Sequence, residues 1–209
     1  MSGNIKVKTI VPGGYAANCH LVYSDESPNL LIIDPGGDFL KIKAEISLLK
    51  KERAAILLTH CHYDHVAAVY DLQKTGIPVY MSRSDERNLN DYNSAAFLFG
   101  ENLKPFKADN RLIGGDFYIL DYKVRVLETP GHTRGGLCFI IGDALFSGDT
   151  LFKNGYGRYD LPGGNPLQLK SSLDMLFSLD KDYAVYCGHG ENTTLFYERE
   201  NNPAAIYLR

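Results

Sequence analysis

Ala54-Ala55-Ile56-Leu57-Leu58-Thr59-His60-Cys61-His62-Tyr63-Asp64-His65 is an apolar run that empties into three histidines and an aspartate. Ala54 to Leu58 has the length and composition of a buried strand. His60 and His62 stand two apart, so on an extended strand end both imidazoles point the same way. Asp64 and His65 fall where the chain must turn, and the apolar spacing after them predicts a helix. The chain has 6 histidines, so half of them sit here. A single histidine at a strand end is ordinary loop polarity; four donor groups at this spacing point to a metal.

The flanking segments predict a layered α/β fold. On the N-terminal side, Ile5, Val7, Thr9 and Val11 alternate with Lys6 and Lys8, a half-buried strand broken at Pro12-Gly13-Gly14. Asn18 to Tyr23 reads as its partner. Leu30-Leu31-Ile32-Ile33 is a continuous apolar strand covered on both faces, ending at Asp34-Pro35-Gly36-Gly37. Asp34 there serves either as a turn cap or as support for a nearby site. Asp38 caps a helix carrying Phe39, Ile42, Ile46 and Leu49. A short helix around Val66, Val69 and Leu72, closed by Gly76, and a strand at Ile77 to Tyr80 follow. Strand–helix–strand–helix alternation implies a layered sheet. Ser82 to Asn110 is polar with irregular aromatics and reads either as a cover over the sheet edge or as a flap beside the site.

In the second half, Phe117–Leu120 and Lys123–Leu127 form a hairpin that runs into Thr129-Pro130-Gly131-His132-Thr133. Leu137–Ile141 and Ala144–Ser147, joined by Gly142-Asp143, form another that ends at Gly148-Asp149-Thr150. Leu151 to Asn165 reads as a glycine-rich loop. Asn165 as cap and Pro166 at the first helical position start a helix. Tyr183 to Tyr186 is a last strand delivering Cys187-Gly188-His189-Gly190, and a helix from about Thr193 is expected to end near Pro203.

At 209 residues, without repeats or a linker, the chain suits a single domain, 1–209. A net charge of −3 gives no electrostatic case for nucleic acid or an anionic membrane. Cys19, Cys61, Cys138 and Cys187 are scattered with no C-x-x-C pair, which argues against a disulfide framework or zinc knuckle. Met1 to Lys8 lacks the apolar core of a signal peptide, and no apolar run approaches membrane-spanning length, so a cytoplasmic protein is expected.

The strand ends share a pattern. Five of them bear a group fit for metal or acid–base work: Asp34, the His60–His65 group, His132, Asp149 and His189. Sheet-based enzymes gather sites at one edge in this way. Neutral imidazole and carboxylate without thiolate suit Zn(II), Fe(II) or Mn(II). Five histidines and two aspartates exceed one tetrahedral ion but suit two ions sharing a carboxylate. The sixth histidine, His20, is mid-strand and reads as structural.

His60-x-His62-x-Asp64-His65, followed by Thr129-Pro130-Gly131-His132-Thr133, Gly148-Asp149-Thr150 and Gly188-His189, resembles the metallo-β-lactamase superfamily, and Asp34-Pro35-Gly36-Gly37 fits it too. The resemblance runs from about Asn18 to the C-terminus. It implies a four-layer αββα sandwich with a dinuclear site at one edge of the two sheets. By position, His60, His62 and His132 would hold the first metal, Asp64, His65 and His189 the second, and Asp149 would bridge them. Two divalent ions, Zn(II) first and Fe or Mn as alternatives, are implied.

Within the superfamily the chain looks most like small glyoxalase II-type hydrolases. Asp149 in place of cysteine separates it from the penicillin-cleaving enzymes, and His62 in place of glutamate from the flavodiiron branch. Gly157-Arg158-Tyr159-Asp160-Leu161-Pro162 resembles the G-R-x-D-F-P loop of short bacterial members. Two departures stand out. Ala67-Ala68 replaces the usual Gly-Gly or Gly-Ala after the histidine, which predicts a small local shift. The chain also stops soon after His189, without the helical domain that grips glutathione in full-length members. The resemblance implies hydrolysis of a small-molecule thioester or ester, a hydroxide between the ions attacking the carbonyl. Asp64 would orient it and take its proton, while Arg158 and Tyr159 would bind substrate. The alternative within the superfamily is a persulfide dioxygenase with one iron on His60, His132 and Asp149.

Overall fold

The structure is a computed structural model and describes residues 4–11, 14 and 16–207. In chain order the elements are β1 Lys6–Ile10, β2 Cys19–Tyr23, β3 Asn29–Ile33, α1 Phe39–Leu48, β4 Arg53–Leu57, α2 Tyr63–Val66, α3 Val69–Gln73, β5 Val79–Ser82, α4 Arg83–Arg87 and β6 Asn110–Leu112. The second half carries β7 Gly115–Ile119, β8 Tyr122–Glu128, β9 Leu137–Ile141, β10 Ala144–Gly148, β11 Leu151–Phe152, β12 Gly155–Tyr156, α5 Pro166–Phe177, β13 Ala184–Cys187, β14 Thr193–Thr194, α6 Leu195–Asn201 and α7 Pro203–Tyr207. One sheet runs β1-β2-β3-β4-β5-β6 and the other β14-β13-β10-β9-β8-β7. Strands β3 to β6 are parallel neighbours, as are β10 and β13.

Side-chain alternation along the strands sorts the core into three layers. On β3, Leu30 and Ile32 face α1 and α3 with Ile42, Val69 and Leu72. Leu31 and Ile33 face the other sheet and meet Val124, Phe139 and Phe146. The outer face of the second sheet, with Ile140, Leu145 and Val185, is covered by Leu169, Leu173 and Leu176 of α5 and Leu195 of α6. Helix, sheet, sheet, helix is thus the layer order, the αββα sandwich expected. Continuous apolar strands are required because both faces of each sheet are buried. Each fully buried aliphatic or aromatic side chain contributes about 1.5–3 kcal/mol.

The local signals that specify ends are visible in the bonds they make. Asp38 Oδ1 accepts from the Leu40 and Lys41 amides at 2.9 and 3.2 Å and starts α1. Asn165 Oδ1 does the same for Leu167 and Gln168, with Pro166 at the first turn of α5. Gly142, at φ +58, makes the β9–β10 turn.

Several expectations need correction. β1 ends at Ile10, so Val11, expected to continue the strand's alternation, lies beyond it and is exposed; Pro12 and Gly13 lie outside the described residues. The helix after the histidine motif divides into α2 and α3 at Ala67-Ala68, where the Ala68 amide donates to the Pro35 carbonyl at 3.0 Å. The 82–110 segment contributes α4, a 3-10 turn at Ala96–Phe99 and β6, which extends the first sheet. The glycine-rich loop contains a small hairpin, β11–β12. The helix expected from about Thr193 is α6, which ends at Asn201 just before Pro203, but the tail adds a second helix, α7, opened by Pro203, with Asn202 Oδ1 accepting from the Ala204 amide at 2.9 Å. Among the described residues no helix is long and apolar enough to cross a membrane.

His20 is held inside the sandwich on β2. Its Nδ1 lies 3.0 Å from Thr9 Oγ1 and its Nε2 3.2 Å from the Cys187 carbonyl. Burial lowers its pKa to about 4, against attraction from Asp34 and the Cys187 carbonyl. The folded value lies below the unfolded one of about 6.5, so the unfolded chain takes the proton first. This contribution to stability is complete above pH 6.5 and is lost as the pH falls towards 4. On the order of 3 kcal/mol is involved. His20→Gln should therefore lose less stability than the parent between pH 7 and 4.5, read as urea midpoints of the metal-free proteins.

Candidate metal centre

The site's side chains sit just beyond strand ends, or on α2 directly after one in the case of Asp64 and His65, and both sheets present those ends at the same edge. Asp34 follows β3, Thr59 to His62 follow β4, His132 follows β8, Asp149 follows β10 and His189 follows β13. Asp34 adopts a left-handed backbone (φ 51), which turns its carboxylate back across β4. Its Oδ1 accepts from the Thr59 amide at 2.8 Å. Its Oδ2 accepts from Thr59 Oγ1 at 2.6 Å and lies 2.8 Å from His65 Nδ1. The support role is therefore the one the geometry shows. Two glycines let the backbones approach. A Cβ on Gly36 would lie 1.5 Å from the Asp64 carbonyl oxygen, and one on Gly188 2.3 Å from Asp149 Oδ1.

Three clusters of potential ligands converge; in Asp34–His60–His65 the carboxylate is taken up by Thr59 and His65, which leaves two groups of three as candidates. The ring centroids of His60, His62 and His132 lie 4.5–4.8 Å apart, and His132 Nε2 is 2.8 Å from His62 Nδ1. In the other group, Asp64 Oδ2 is 3.0 Å from His189 Nε2 and 3.9 Å from His65 Nε2. Asp149 lies between them. Its Oδ2 is 3.5 Å from His132 Nε2 and 3.6 Å from His189 Nε2, and its Oδ1 is 3.1 Å from His65 Nε2. Each group brings its donor atoms close enough to hold one cation.

Hydrogen bonds on the far ring nitrogens select the donor nitrogens. His132 Nδ1–H donates to the Arg158 carbonyl at 2.6 Å, and His65 Nδ1–H to Asp34. Thr59 Oγ1, its own proton given to Asp34, accepts from His60 Nδ1–H at 3.0 Å. That leaves Nε2 of all three histidines aimed inward. His60 Nε2, His62 Nε2, His65 Nε2 and Asp149 Oδ1 are buried without an aligned hydrogen-bond partner. Buried polar atoms left unpaired cost about 1–3 kcal/mol each, and a cation among them would satisfy most of them. The residues fit a metal.

The electrostatics of the two groups differ. Burial, then repulsion from neighbouring histidines, holds His60 well below its ordinary value and His62 at about 3. Both are neutral imidazoles, ready to ligate. Burial also works against charge on His65, but Asp149, Asp64 and Asp34 outweigh it and raise its pKa well above 6.5. His189 is raised too, its burial overcome by the hydrogen bond it donates to Asp64 and by the charge of Asp149. Against their own burial, Asp149 and Asp64 are held low, His65 being the largest opposing influence on both. Burial pushes the thiols up, Cys138 to about 11 and Cys187 to about 12. The donor set is therefore nitrogen and oxygen, as the sequence suggests.

All seven predicted ligands are brought together. Arg158 is not free to meet a substrate without exchange: its guanidinium is exposed and pairs with Asp160 at 2.7 and 2.8 Å. Its carbonyl is what reaches the centre. Tyr159 is exposed beside it. The 90–99 stretch packs against Tyr63, whose amide donates to the Ser94 carbonyl at 2.7 Å and whose ring lies 5.6 Å from Phe99. Thr59 and Asp85 are polar supports that the sequence reading passed over. Thr59 had a signal, standing directly before the motif. Asp85 had none, because Arg83-Ser84-Asp85-Glu86-Arg87 reads as a solvated charge run.

The chain is 34% identical to the hydroxyacylglutathione hydrolase GloC of Haemophilus influenzae, over 95% of this chain and 97% of that protein. Among solved structures, BLEG-1, a B3 metallo-β-lactamase, superposes with a TM-score of 0.87 at 33% identity, covering 97% of this chain and 99% of that one. TTHA1623, solved in a di-iron-bound form, gives 0.84 at 36% identity, covering 94% and 99%. A family model matches residues 12–189. With the αββα layers and the clustered strand-end histidines, that match shows that the chain belongs to the metallo-β-lactamase superfamily.

Proposed function

We propose that the protein is a hydrolase of the glyoxalase II type, cleaving a small-molecule thioester or ester with two divalent ions. The carrying observation is Asp149, one carboxylate within 3.5–3.6 Å of donor nitrogens in both groups. His60, His62 and His132 would hold one ion, Asp64, His65 and His189 the other, and Asp149 both. Zn(II) suits this all-nitrogen-and-oxygen set best, with Fe and Mn as alternatives; the likeness to a di-iron-bound structure supports keeping iron open. Such a pair supplies a nucleophile by lowering the pKa of water and polarises a carbonyl oxygen.

The chain's own residues account for the remaining steps. Asp64 and His189 form the open side of the site, their side chains 13% and 37% exposed, whereas His132 is 4% exposed. A substrate carbonyl therefore approaches over Asp64. Its carboxylate, held at 3.0 Å by His189, is placed to orient a water and accept its proton. Addition to the carbonyl and departure of the thiol give a carboxylic acid and a free thiol. The aromatic pair of Tyr63 and Phe99 offers apolar surface for the acyl or carrier portion. Arg158 and Tyr159 would contact an anionic or polar group of the substrate once Asp160 yields. The similarity to GloC supports a 2-hydroxyacyl thioester of glutathione as the first substrate to try. Four buried free cysteines fit a cytoplasmic location, and the small net negative charge fits a small-molecule substrate and not nucleic acid or membrane.

Metal-loaded protein should hydrolyse S-lactoylglutathione. Its activity against a β-lactam, and its oxygen consumption with glutathione persulfide, should be at background. Oxygen uptake with one iron per chain would instead establish the dioxygenase, and β-lactam turnover alone the lactamase chemistry. Asp64→Asn should lower kcat by about 10²-fold or more. Metal analysis should give about two ions per chain in the parent and about one in either His132→Ala or His189→Ala. Undiminished stoichiometry in both would remove the ligand assignment.

A further inference from the structure

We propose that Asp85 is a positioning residue that sets the spacing of the His60–His62–His132 group and so the affinity of that half of the centre. The inference rests on the ligand grouping proposed above. Asp85 lies on α4, outside every strand end that carries a ligand, and is 2% exposed. Its Oδ2 accepts from the Cys61 amide at 3.1 Å and from Thr133 Oγ1 at 2.8 Å, and its Oδ1 accepts from the Gly135 amide at 2.7 Å. Cys61 stands between His60 and His62; Thr133 stands next to His132. One carboxylate therefore joins the loop after β4, from the first sheet, to the loop after β8, from the second.

The contact is built for closeness. Ser82 Oγ accepts from the Asp85 amide at 3.1 Å and fixes the start of α4. Gly135 has no side chain where a Cβ would lie 2.1 Å from Ser82 Oγ and 2.6 Å from Asp85 Oδ1. Among the described residues no salt bridge reaches Asp85, so these three hydrogen bonds and an interaction with the Cys61 thiol compensate a buried carboxylate. An apolar side chain there would spare the desolvation cost but leave the Cys61 and Gly135 amides and the Thr133 hydroxyl unpaired. As a device for holding two loops at a set distance the carboxylate is effective. The backbone bond from the Leu137 amide to the Thr59 carbonyl, 2.8 Å, already ties these loops on the strand side of His60. Asp85 adds the tie on the His62 side. Asp85 makes no bond to the second group: there His65 Nδ1–H donates to Asp34, an anchor shared with His60 through Thr59, and Asn18 Nδ2 donates to the Cys187 and Gly190 carbonyls at 3.0 and 3.1 Å around His189.

The test isolates each half. In a His189→Ala background only the first group can bind tightly, and in a His132→Ala background only the second. Zn(II) affinity is read by competition with a chromophoric chelator, with and without Asp85→Ala. Asp85→Ala should weaken binding about 10–100-fold in the His189→Ala background and less than about threefold in the other. Thr133→Val removes one of the three bonds and no charge; it should give a smaller loss confined to the same half, and it serves if Asp85→Ala does not fold. A loss below threefold in the His189→Ala background, or equal losses in both, would overturn the proposal. If the parent itself fails to bind two ions, the ligand grouping is what fails, and the parent titration shows this first.

Discussion

Asp34 is the residue on which the site's geometry turns. Its left-handed backbone costs on the order of 1 kcal/mol, and the carboxylate it projects collects Thr59's amide and hydroxyl and the His65 ring. Through Thr59 the same carboxylate fixes His60. The ends of two parallel strands are thereby locked, and one imidazole of each metal-binding group receives its tautomer from a single anchor. The packing of the sandwich brings the second sheet's His132, Asp149 and His189 to meet these rings. Without that anchor, strand convergence would give proximity but not aim.

Folding this edge leaves the protein with inward-facing lone pairs that no protein group satisfies. Two different solutions exist in the metal-free chain. Burial, with charge on neighbouring histidines, lowers the pKa of His60 and His62, whereas Asp149, Asp64 and Asp34 raise that of His65 against its burial. Proton binding thus opposes a cation more strongly in the second group than in the first. The halves of the centre therefore differ in proton linkage although both use imidazole and carboxylate.

The sequence was most legible where a local rule and the tertiary fold demand the same thing. β3 and β4 are buried on both faces and read as unbroken apolar runs; Asp38 and Asn165 cap helices as their spacing predicts. The ligands were legible because strand ends combine a strong apolar signal with a polar break. Where a residue's role depends on distant partners, the local pattern gave nothing. Asp85 lies among charges and is nonetheless buried, since its partners Thr133 and Gly135 come from the other sheet. β6 is three residues at a sheet edge, too short for a periodic signal. Pro203 reads as a stop, and α6 does end before it, but the helix it then opens depends on the cap that Asn202 supplies. Arg158 was read by its charge, while the atom that touches the centre is its carbonyl.

The central claim is that two ions share Asp149 at the meeting of the sheets. Anomalous diffraction at the zinc edge from crystals of Zn(II)-loaded protein tests it most directly. Two peaks about 3.5–4 Å apart are predicted, one against His60, His62 and His132, the other against Asp64, His65 and His189, with Asp149 touching both. A single peak at full loading, or two peaks with Asp149 bound to only one, would contradict it.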